Sequence, residues 1–543
     1  MQIRDIPTQP ITGQKAGTSG LRRRTRDYMA PLFLENYVQA IIDGTGGAEG
    51  KTYVLGGDGR YFNDTAIQII LRILAGNGAH AVIVGQGGLL STPAASHLIR
   101  LNGADGGFIL SASHNPGGID ADFGLKYNMA NGGPATETMS AAIFAASETM
   151  SRIRMADSAD VDLQSLGQVQ IGAMQVRIVS PVSDYVAMME DLFDLDAIAG
   201  LFAGGFCMRF DAMHAITGPY ACALLVDRCG APADAVMNAT PLPDFGGGHP
   251  DPNPIWAHEL MAVMQGPDAP DFGAASDGDG DRNMIVGRGQ YVTPSDSLAL
   301  IADQAHLARG YARGLTGVAR SMPTSSAVDR VAAAKGIACF ETPTGWKFFG
   351  NLLDTGQITL CGEESAGTGS DHIREKDGLW AVLMWLNIMA VSGRSVADLM
   401  AAHWQAYGRN YYSRHDYEEV DAKAANALID DLRGKLGQLP GQSFAGLKIT
   451  DADDFAYDDP VDGSRSAHQG LRLFFEGDAR AVLRLSGTGT SGATLRVYLE
   501  QIVTAPGDLH QDAADVLSPL VAAVDAVAGI AQRTGRDVPD VTT

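Results

Sequence analysis

Residues 106–118 read GGFILSASHNPGG, the most informative stretch of the chain. The apolar run 108–110 follows two glycines and predicts a short buried strand, after which residues 111–118 predict a loop. The hydroxyl of Ser113 and the imidazole of His114 therefore follow the carboxyl end of a strand, where open α/β sheets bind ligands. Taken alone, the segment is more simply interpreted as an ordinary Ser/Asn/Pro/Gly turn. Three further motifs along the chain favour a functional site over an ordinary turn.

Strand-like and helix-like stretches alternate through most of the chain. An apolar run at 53–55 precedes a glycine turn, 65–74 has helical spacing, and 81–84 again predicts a strand. Such alternation is typical of parallel strands joined by crossover helices. From about residue 411 the pattern changes to meandering strands. We therefore predict an α/β protein with three similar mixed α/β domains at 1–178, 179–292 and 293–405, followed by an α+β domain at 406–543.

Composition restricts the classes of partner and compartment. The formal net charge is −23 over 543 residues, which argues against nucleic acid and against anionic membranes as partners. We find no run of the ~18 apolar residues that a membrane span needs and no apolar core for a signal peptide in 1–17. The five cysteines lack metal-type spacing, which favours reduced thiols and a cytoplasmic protein. Basic residues concentrate in the glycine-rich segments and predict a positive pocket in an acidic body.

The second motif, 277–282, reads DGDGDR. Alternating carboxylates with glycines between them can turn three oxygens inward, as Mg²⁺ requires. An EF-hand is the rival interpretation, but Arg282 occupies the sixth position, where glycine is needed, and Arg288 occupies the twelfth, where glutamate is needed. Three carboxylates this close repel one another unless a cation lies between them. We therefore predict a metal site at Asp277, Asp279 and Asp281.

The third motif is RLSGTGTSG at 484–492, followed by Arg496. Glycines that free backbone amides, several hydroxyls and an arginine make a cradle for a phosphate dianion. The segment also matches the dinucleotide pattern G-x-G-x-x-G, but 494–500 alternates like a strand, whereas that fingerprint must open a helix. It is not a Walker loop either, because no Gly-Lys-Ser/Thr follows. A glycine-rich hairpin without a ligand stays possible.

The fourth motif is GEESAG at 362–367, followed by DHIREKD at 371–377. Adjacent carboxylates and a hydroxyl suit sugar hydroxyls, although a solvated charged loop would look the same. Lys376 is a candidate acid or base if it is buried among positive groups. Segments 15–22 and 342–347 are either phosphate or hydroxyl contacts or capped turns. His249, in HPDPNP, is interpreted as part of a stiff turn.

Together and in this order, the four motifs resemble the α-D-phosphohexomutase superfamily, most closely its phosphoglucomutase branch. Stretches at 319–325, 341–351, 369–383 and 460–463 are similar to that branch too, and the resemblance runs from about residue 11 to the C-terminus. It implies four domains around a central cleft and interconversion of glucose 1-phosphate and glucose 6-phosphate. It also implies Mg²⁺ as cofactor and glucose 1,6-bisphosphate as activator and intermediate.

The resemblance assigns a role to each motif. It makes Ser113 the carrier of the phosphoryl group, with an oxygen of that group joining the three aspartates around Mg²⁺. The implied catalytic residues around the transferring group are His114, Lys126, Arg282 and Lys376. The implied substrate-binding residues are Thr18, Ser19, Arg22, Thr344, Gly345, Glu363, Ser365, Arg484, Ser486, Gly487, Thr488, Thr490 and Arg496.

The sequence departs from the pattern of that branch at three positions. Ser111 replaces a threonine, Ala366 replaces a bulkier aromatic residue on the sugar loop, and Gly248 replaces a histidine. A phosphomannomutase or phosphoglucosamine mutase is therefore the runner-up, although Glu364 favours glucose, and a catalytically silent relative is the third hypothesis. We expect a small-molecule phosphosugar as partner, neither nucleic acid nor membrane, and a monomer or weak homodimer.

Overall fold

The computed structural model describes residues 2–17, 19–486 and 492–543. The chain forms two compact units. The first comprises the described residues within Met1–Pro294, Asp303–Thr316 and Gly345–Ala397, and the second comprises those within Ser295–Ala302, Gly317–Thr344 and Asp398–Thr543.

A seven-stranded mixed sheet occupies the first part of the chain. Its order is β2-β6-β5-β3-β4-β9-β8, and its central strands β5, β3, β4 and β9 are parallel neighbours. The predicted strand at 108–110 ends β5, and the predicted helix at 65–74 lies within α3. The elements are β1 (Ile3–Pro7), β2 (Leu21–Arg24), α1 (Thr25–Tyr28), α2 (Phe33–Gly44), β3 (Thr52–Gly57), α3 (Asn63–Gly76), β4 (Ala81–Leu89), α4 (Thr92–Asn102), β5 (Gly106–Leu110), β6 (Asp122–Met129), α5 (Glu137–Glu148), β7 (Arg152–Ala156), β8 (Gly167–Ile171) and β9 (Met174–Val179).

A second mixed sheet, of five strands in the order β11-β10-β12-β13-β14, follows in the first unit. Strands β12 and β13 form an antiparallel hairpin that pairs Ser276 with Asn283, so the DGDGDR motif is its connecting loop. The elements are α6 (Ser183–Leu192), α7 (Leu195–Ala203), β10 (Met208–Asp211), α8 (Thr217–Ala221) continued by a π-helix (Cys222–Arg228), β11 (Val236–Met237), α9 (His258–Met264), β12 (Phe272–Ser276), β13 (Asn283–Gly287) and β14 (Gln290–Val292).

The third part of the chain contains a parallel pair, β15 and β16, and an antiparallel pair, β17 and β18. Helix α13 is apolar around its whole circumference, and twelve of its residues are buried, as expected of a core helix. The elements are α10 (Pro294–Gln304), β15 (Gly317–Ser321), α11 (Ala327–Lys335), β16 (Ala338–Thr342), α12 (Lys347–Asp354), β17 (Leu360–Gly362), β18 (Thr368–Ser370), α13 (Gly378–Ser392) and α14 (Val396–Tyr407).

Helix α13 also bears on whether the chain could cross a membrane. Within the described residues, no single helix is long and apolar enough to do so. Only the broken pair α13 and α14 meets that requirement, by length and composition alone.

The C-terminal part is a seven-stranded antiparallel sheet with the order β20-β21-β24-β25-β26-β19-β27. Helices α15 and α16 bury their apolar faces against it. The predicted change from mixed α/β domains to an α+β C-terminal domain is thus confirmed. The elements are β19 (Arg409–Val420), α15 (Ala422–Lys435), β20 (Ser443–Phe444), β21 (Leu447–Asp454), β22 (Tyr457–Asp458), β23 (Arg465–Ser466), β24 (Leu471–Phe475), β25 (Ala479–Ser486), β26 (Ala493–Val503), α16 (Ala513–Ala528), α17 (Ile530–Thr534) and β27 (Val541–Thr542).

Candidate active site

The serine loop leaves the carboxyl end of β5 and turns sharply at Ser113. This residue has a φ of +54°, a left-handed conformation that is uncommon outside glycine and often marks functional sites. The Ser111 hydroxyl accepts a hydrogen bond from the Ser113 amide at 2.7 Å. The buried Ser113 hydroxyl donates to Oδ2 of Asp277 at 2.8 Å, so the serine faces the aspartate loop.

A buried ion pair that the sequence analysis missed holds this turn in place. The side chains of Asp58 and Arg60 are fully buried and paired at 2.9 Å. Arg60 donates from Nη2 to the Ser113 carbonyl at 2.8 Å and from Nη1 to the Asp122 carbonyl at 2.9 Å. The sequence feature that could have identified this pair is the glycine turn after the strand at 53–55. Like the serine loop, that turn follows the carboxyl end of a strand, where ligands bind.

The aspartate loop folds back on its first carboxylate. Oδ1 of Asp277 accepts hydrogen bonds from the amides of Asp281 at 2.9 Å and Arg282 at 3.0 Å. A β-carbon on Gly278 would lie 2.3 Å from the Ser113 carbonyl oxygen, so only glycine lets the serine and aspartate loops approach this closely. The carboxylates of Asp277, Asp279 and Asp281 are buried, with one oxygen of each within 4.8 Å of the others.

The donor set of this loop fits a divalent cation. Oδ1 of Asp279 and Oδ1 of Asp281 are buried and have no hydrogen-bond partner among the described residues, which is costly unless a charge-compensating ligand is present. Burial, together with the charges of Asp281 and Asp279, raises the pKa of Asp277 well above its usual range. A hard cation such as Mg²⁺ accepts such oxygens and would relieve the repulsion between them.

Two lysines compensate part of this negative charge. Lys126 forms an ion pair with Asp279, and its Nζ lies 3.6 Å from Oδ2 of Asp281. Nζ of Lys376 lies 3.2 Å from the same Asp281 oxygen. Burial lowers the pKa of Lys126, but Asp279 and Asp281 raise it by more. Thr92, which the sequence analysis did not identify, donates to Oδ2 of Asp279 at 2.5 Å.

Cationic groups lie on the other side of the serine loop. Burial, followed by the charges of Arg282 and Arg22, lowers the pKa of His114 well below its usual value, so its imidazole is neutral at pH 7. Nδ1 of His114 lies 3.4 Å from the Ser113 hydroxyl. Arg22 donates to Oδ1 of Asn115 at 3.4 Å. Positive charges this close to a serine hydroxyl favour an anionic group there.

The predicted sugar loop is the turn between β17 and β18. The Gly345 amide donates to Oε1 of Glu363 at 3.0 Å, and burial raises the pKa of Glu363. Ala366, one of the departures from the branch pattern, has a φ of +70°. Its carbonyl accepts from the Asn283 amide at 3.0 Å. A backbone bond, which needs no particular side chain, thus ties the sugar loop to the aspartate hairpin.

Glu375 is a further buried acid that the sequence analysis missed. Its Oε1 accepts a hydrogen bond from Nδ2 of Asn128 at 3.0 Å. Burial raises the pKa of Glu375 to about 7 despite the nearby charges of Lys126 and Lys376. The sequence feature that could have identified Glu375 is its position next to Lys376, because the two residues give this segment both a negative and a positive side chain.

We expect Glu375→Gln to flatten the pH dependence of stability of the metal-free protein. The pKa of Glu375 is higher in the folded than in the unfolded chain, so its contribution to the free energy of unfolding is full below about pH 4.3 and falls as pH rises to about 7. At pH 8 the variant should therefore exceed the wild type by up to roughly 3 kcal/mol. Urea unfolding in chelator at pH 5 and pH 8 measures this, with exposed Glu148→Gln as the matched control. An equal offset at both pH values would contradict it.

The described ends of the predicted phosphate loop belong to β25 and to the start of β26, in the second unit. Arg484 and Arg496 are direct cross-strand partners on these two strands. Arg484 donates to the Gln469 carbonyl at 3.1 Å, and Arg496 lies 3.6 Å from Oδ2 of Asp416. Like charges directly opposite one another are destabilising unless an anion or counter-charge compensates them.

The sequence-predicted residues thus fall into three groups. The described part of the first unit contains Ser113, His114, Arg22, Lys126, Asp277, Asp279, Asp281, Arg282, Lys376, Glu363, Ser365 and Gly345, and Ser19 lines a crevice of about 20 Å³ with Lys126. The second unit holds Thr344, Arg484, Ser486 and Arg496. Thr18, Gly487, Thr488 and Thr490 lie outside the described residues.

Known proteins similar to this chain over its whole length include several that are named phosphoglucomutase. A phosphoglucomutase of Rhizobium radiobacter is 56% identical over 541 residues, and human phosphoglucomutase-1 is 47% identical over 562, each with full coverage of both chains. Among solved structures, pp63/parafusin, a phosphoglucomutase from Paramecium in an open form, is 44% identical. It superposes with a TM-score of 0.92 over 100% of this chain and 99% of its own.

Four family models match in succession along the chain. They are phosphoglucomutase/phosphomannomutase α/β/α domain I at 13–153, domain II at 183–290, domain III at 293–407, and the phosphoglucomutase-1 C-terminal domain at 409–540. This succession, with a buried serine beside three aspartates, defines the class as an α-D-phosphohexomutase. Within that superfamily, the chain belongs to the phosphoglucomutase branch. It has the phosphoglucomutase function of its relatives and is therefore an isomerase.

Proposed function

We propose that this chain interconverts glucose 1-phosphate and glucose 6-phosphate by way of a phosphorylated Ser113 and a glucose 1,6-bisphosphate intermediate. The observation that carries the proposal is the Ser113 hydroxyl, 2.8 Å from Asp277, between buried carboxylates and buried cations. A nucleophile in such a site can carry a group that is negatively charged throughout its transfer.

The proposed reaction consists of two phosphoryl transfers. The 6-hydroxyl of glucose 1-phosphate attacks the phosphoryl group on Ser113, the bond between phosphorus and the serine oxygen breaks, and the hydroxyl proton passes to a base. The bisphosphate then turns end for end, and the serine oxygen takes the phosphoryl group from carbon 1. The bond between phosphorus and the carbon-1 oxygen breaks, and the proton held by the base passes to that oxygen. Glucose 6-phosphate leaves, and Ser113 is phosphorylated again.

The metal would be held by Asp277, Asp279, Asp281 and an oxygen of the Ser113 phosphoryl group. When bound, Mg²⁺ neutralises negative charge on the transferring phosphoryl oxygens. The support for this proposal is the buried, unpartnered carboxylate oxygens and their mutual distances.

The cations around Ser113 act by electrostatic stabilisation. We assign Arg22 and Arg282 to the phosphoryl oxygens, and Lys126 to holding the aspartate loop, because its ion pair with Asp279 keeps it charged. Lys376 and the neutral imidazole of His114 are the proton-transfer candidates.

Substrate recognition must tolerate both orientations of the sugar. We assign the sugar hydroxyls to Glu363 and Ser365, with further contacts from Thr18, Ser19, Thr344 and Gly345. The phosphate that is not reacting is assigned to Arg484, Ser486, Gly487, Thr488, Thr490 and Arg496. The cross-strand pair of arginines supports this assignment.

We expect Arg484→Ala to raise KM for both phosphosugars by about tenfold, because a charge-assisted bond to the distal phosphate is worth roughly 1.5–3 kcal/mol. Steady-state kinetics in both directions measure the change. Arg465→Ala, in the same unit but at an exposed ion pair, is the control. Unchanged KM values in Arg484→Ala would remove that hairpin from the binding site.

A coupled assay tests the substrate proposal. Turnover of glucose 1-phosphate with Mg²⁺ and trace glucose 1,6-bisphosphate, well above turnover of mannose and glucosamine phosphates, is the expected result. Preference for either of the other sugars would favour the runner-up mutases. Intact mass should show one phosphate on the protein, which glucose 1-phosphate removes.

The remaining sequence predictions stand as proposals. Division into domains at 1–178, 179–292, 293–405 and 406–543 is supported by the ranges of the four family-model matches. A cytoplasmic location and a monomer or weak homodimer are proposed as well, and the net charge of −23 supports the proposal of neither nucleic-acid nor membrane partners. Sedimentation at several concentrations tests the oligomeric state.

A further inference from the structure

Behind the candidate active site lies a chain of buried side chains that the proposed mechanism does not use. Nε1 of Trp380 donates to the Tyr311 hydroxyl at 2.8 Å, and Tyr311 contacts the Ser370 hydroxyl at 2.5 Å. The Ser370 hydroxyl lies 2.7 Å from Nδ1 of His372, and Nε2 of His372 lies 3.1 Å from Oδ2 of Asp377. All five residues belong to the first unit. The His372 and Asp377 side chains are 2% and 0% exposed.

With a neutral imidazole at His372, the two ends of this hydrogen-bond network set the direction of every bond between them. An indole N–H can only donate, and a carboxylate can only accept. Tyr311 therefore donates to Ser370, Ser370 donates to Nδ1 of His372, and His372 donates from Nε2 to Asp377. Every donor has an acceptor, which is the condition for a buried polar network to give a single rigid arrangement.

The second carboxylate oxygen of Asp377 also accepts hydrogen bonds. Its Oδ1 accepts from the Tyr185 hydroxyl at 2.6 Å and from the Trp380 amide at 3.0 Å, where it caps the first turn of α13. Both carboxylate oxygens are therefore held, one by His372 and one by Tyr185 and the helix. Asp377 cannot rotate without breaking a bond on either side.

Asp377 follows Lys376 directly, and the short segment 376–378 lies against the aspartate loop. The Gly378 amide donates to the Gly280 carbonyl at 3.1 Å. A β-carbon on Gly378 would lie 2.0 Å from the Arg282 carbonyl oxygen. Nζ of Lys376 lies 3.2 Å from Asp281. A small rotation of Asp377 would therefore move the Lys376 ammonium relative to the aspartates.

We propose that His372 and Asp377 are positioning residues, and that the hydrogen-bond chain from Trp380 to Asp377 orients the Lys376 ammonium at the aspartate loop. The inference rests on the role of Lys376 proposed above. Among the described residues, the hydrogen bonds of His372 go to Ser370 and Asp377 and to neither the serine loop nor the sugar loop. It acts through Asp377 and the backbone that joins it to Lys376.

Three variants of His372 separate positioning from packing. His372→Phe keeps the ring that stacks on Trp380 at 5.4 Å but removes both hydrogen bonds. His372→Gln loses the ring but can place an amide N–H where Nε2 stood, and His372→Asn can restore only the acceptor toward Ser370. We expect kcat to fall about 10–100-fold in the Phe and Asn variants with KM for glucose 1-phosphate little changed, and to recover substantially in the Gln variant.

A higher kcat in His372→Phe than in His372→Gln would overturn the inference. If the imidazole serves only packing, the Phe variant keeps its turnover and the Gln variant loses it, or kcat and KM change together in all three. His80→Phe, at an exposed histidine outside this network, is the matched control and should leave kcat unchanged. If His372→Phe does not fold, Tyr185→Phe replaces it. Tyr185→Phe removes one hydrogen bond to Asp377 and should therefore lower kcat at constant KM. An unchanged kcat in this variant would contradict the inference.

Lys376→Met in the same assay separates failure of this inference from failure of the proposed mechanism. Full activity in Lys376→Met would remove the role proposed for Lys376. Low activity in Lys376→Met, with full activity in every His372 variant, would overturn only the positioning inference.

Discussion

Ser113→Ala should lose at least ~10³-fold in turnover of glucose 1-phosphate, because no oxygen remains to carry the phosphoryl group between the two sugar positions. The neighbouring cations and the aspartate loop would still bind substrate, so KM should change far less than kcat. The measurement is the coupled assay in the presence of Mg²⁺ and glucose 1,6-bisphosphate. Intact mass should show that the variant has lost the phosphate carried by the wild type.

The matched control is Ser183→Ala, which removes an exposed hydroxyl on α6 and should leave both turnover and phosphate content unchanged. A near-normal rate in Ser113→Ala would show that another group carries the phosphoryl. Labelled phosphate that never appears on the wild-type polypeptide during turnover would lead to the same conclusion.

Complete removal of divalent cations should also lower turnover by at least ~10³-fold, and added Mg²⁺ should restore it. The reason lies in the three buried aspartates, whose unpartnered oxygens leave the site with uncompensated negative charge. Mg²⁺ should also raise the stability of the chelated protein, by about 2.7 kcal/mol at 100 times its Kd. Thermal unfolding with and without Mg²⁺ measures this gain independently of activity.

Asp279→Asn should weaken both effects of Mg²⁺, since it removes one charge from the cluster. The exposed Asp268→Asn is the control and should respond to Mg²⁺ as the wild type does. Full velocity after exhaustive chelation, or a stabilisation by Mg²⁺ that survives in Asp279→Asn, would contradict the assignment of the metal site.

The motifs of the candidate site were predictable from the sequence because each is continuous along the chain. A strand followed by a serine loop, three aspartates at alternate positions, and two cross-strand arginines are all local patterns. Asp58, Arg60, Thr92 and Glu375 were missed for the converse reason. Each has at most a weak signal in its own segment, and its role in the site depends on a contact with a residue far away in the chain.

Apolar periodicity and residue type act over a few positions, so the class of each domain and the chemistry available at each loop follow from residue order. Which loops meet, and which of their side chains are ionised, depends on the tertiary structure. Gly278 and Gly378 leave room for contacts that a β-carbon would block. Burial keeps His114 neutral and raises the pKa of Asp277. Those effects depend on solvent exclusion and on distances across the fold, which residue order alone does not contain.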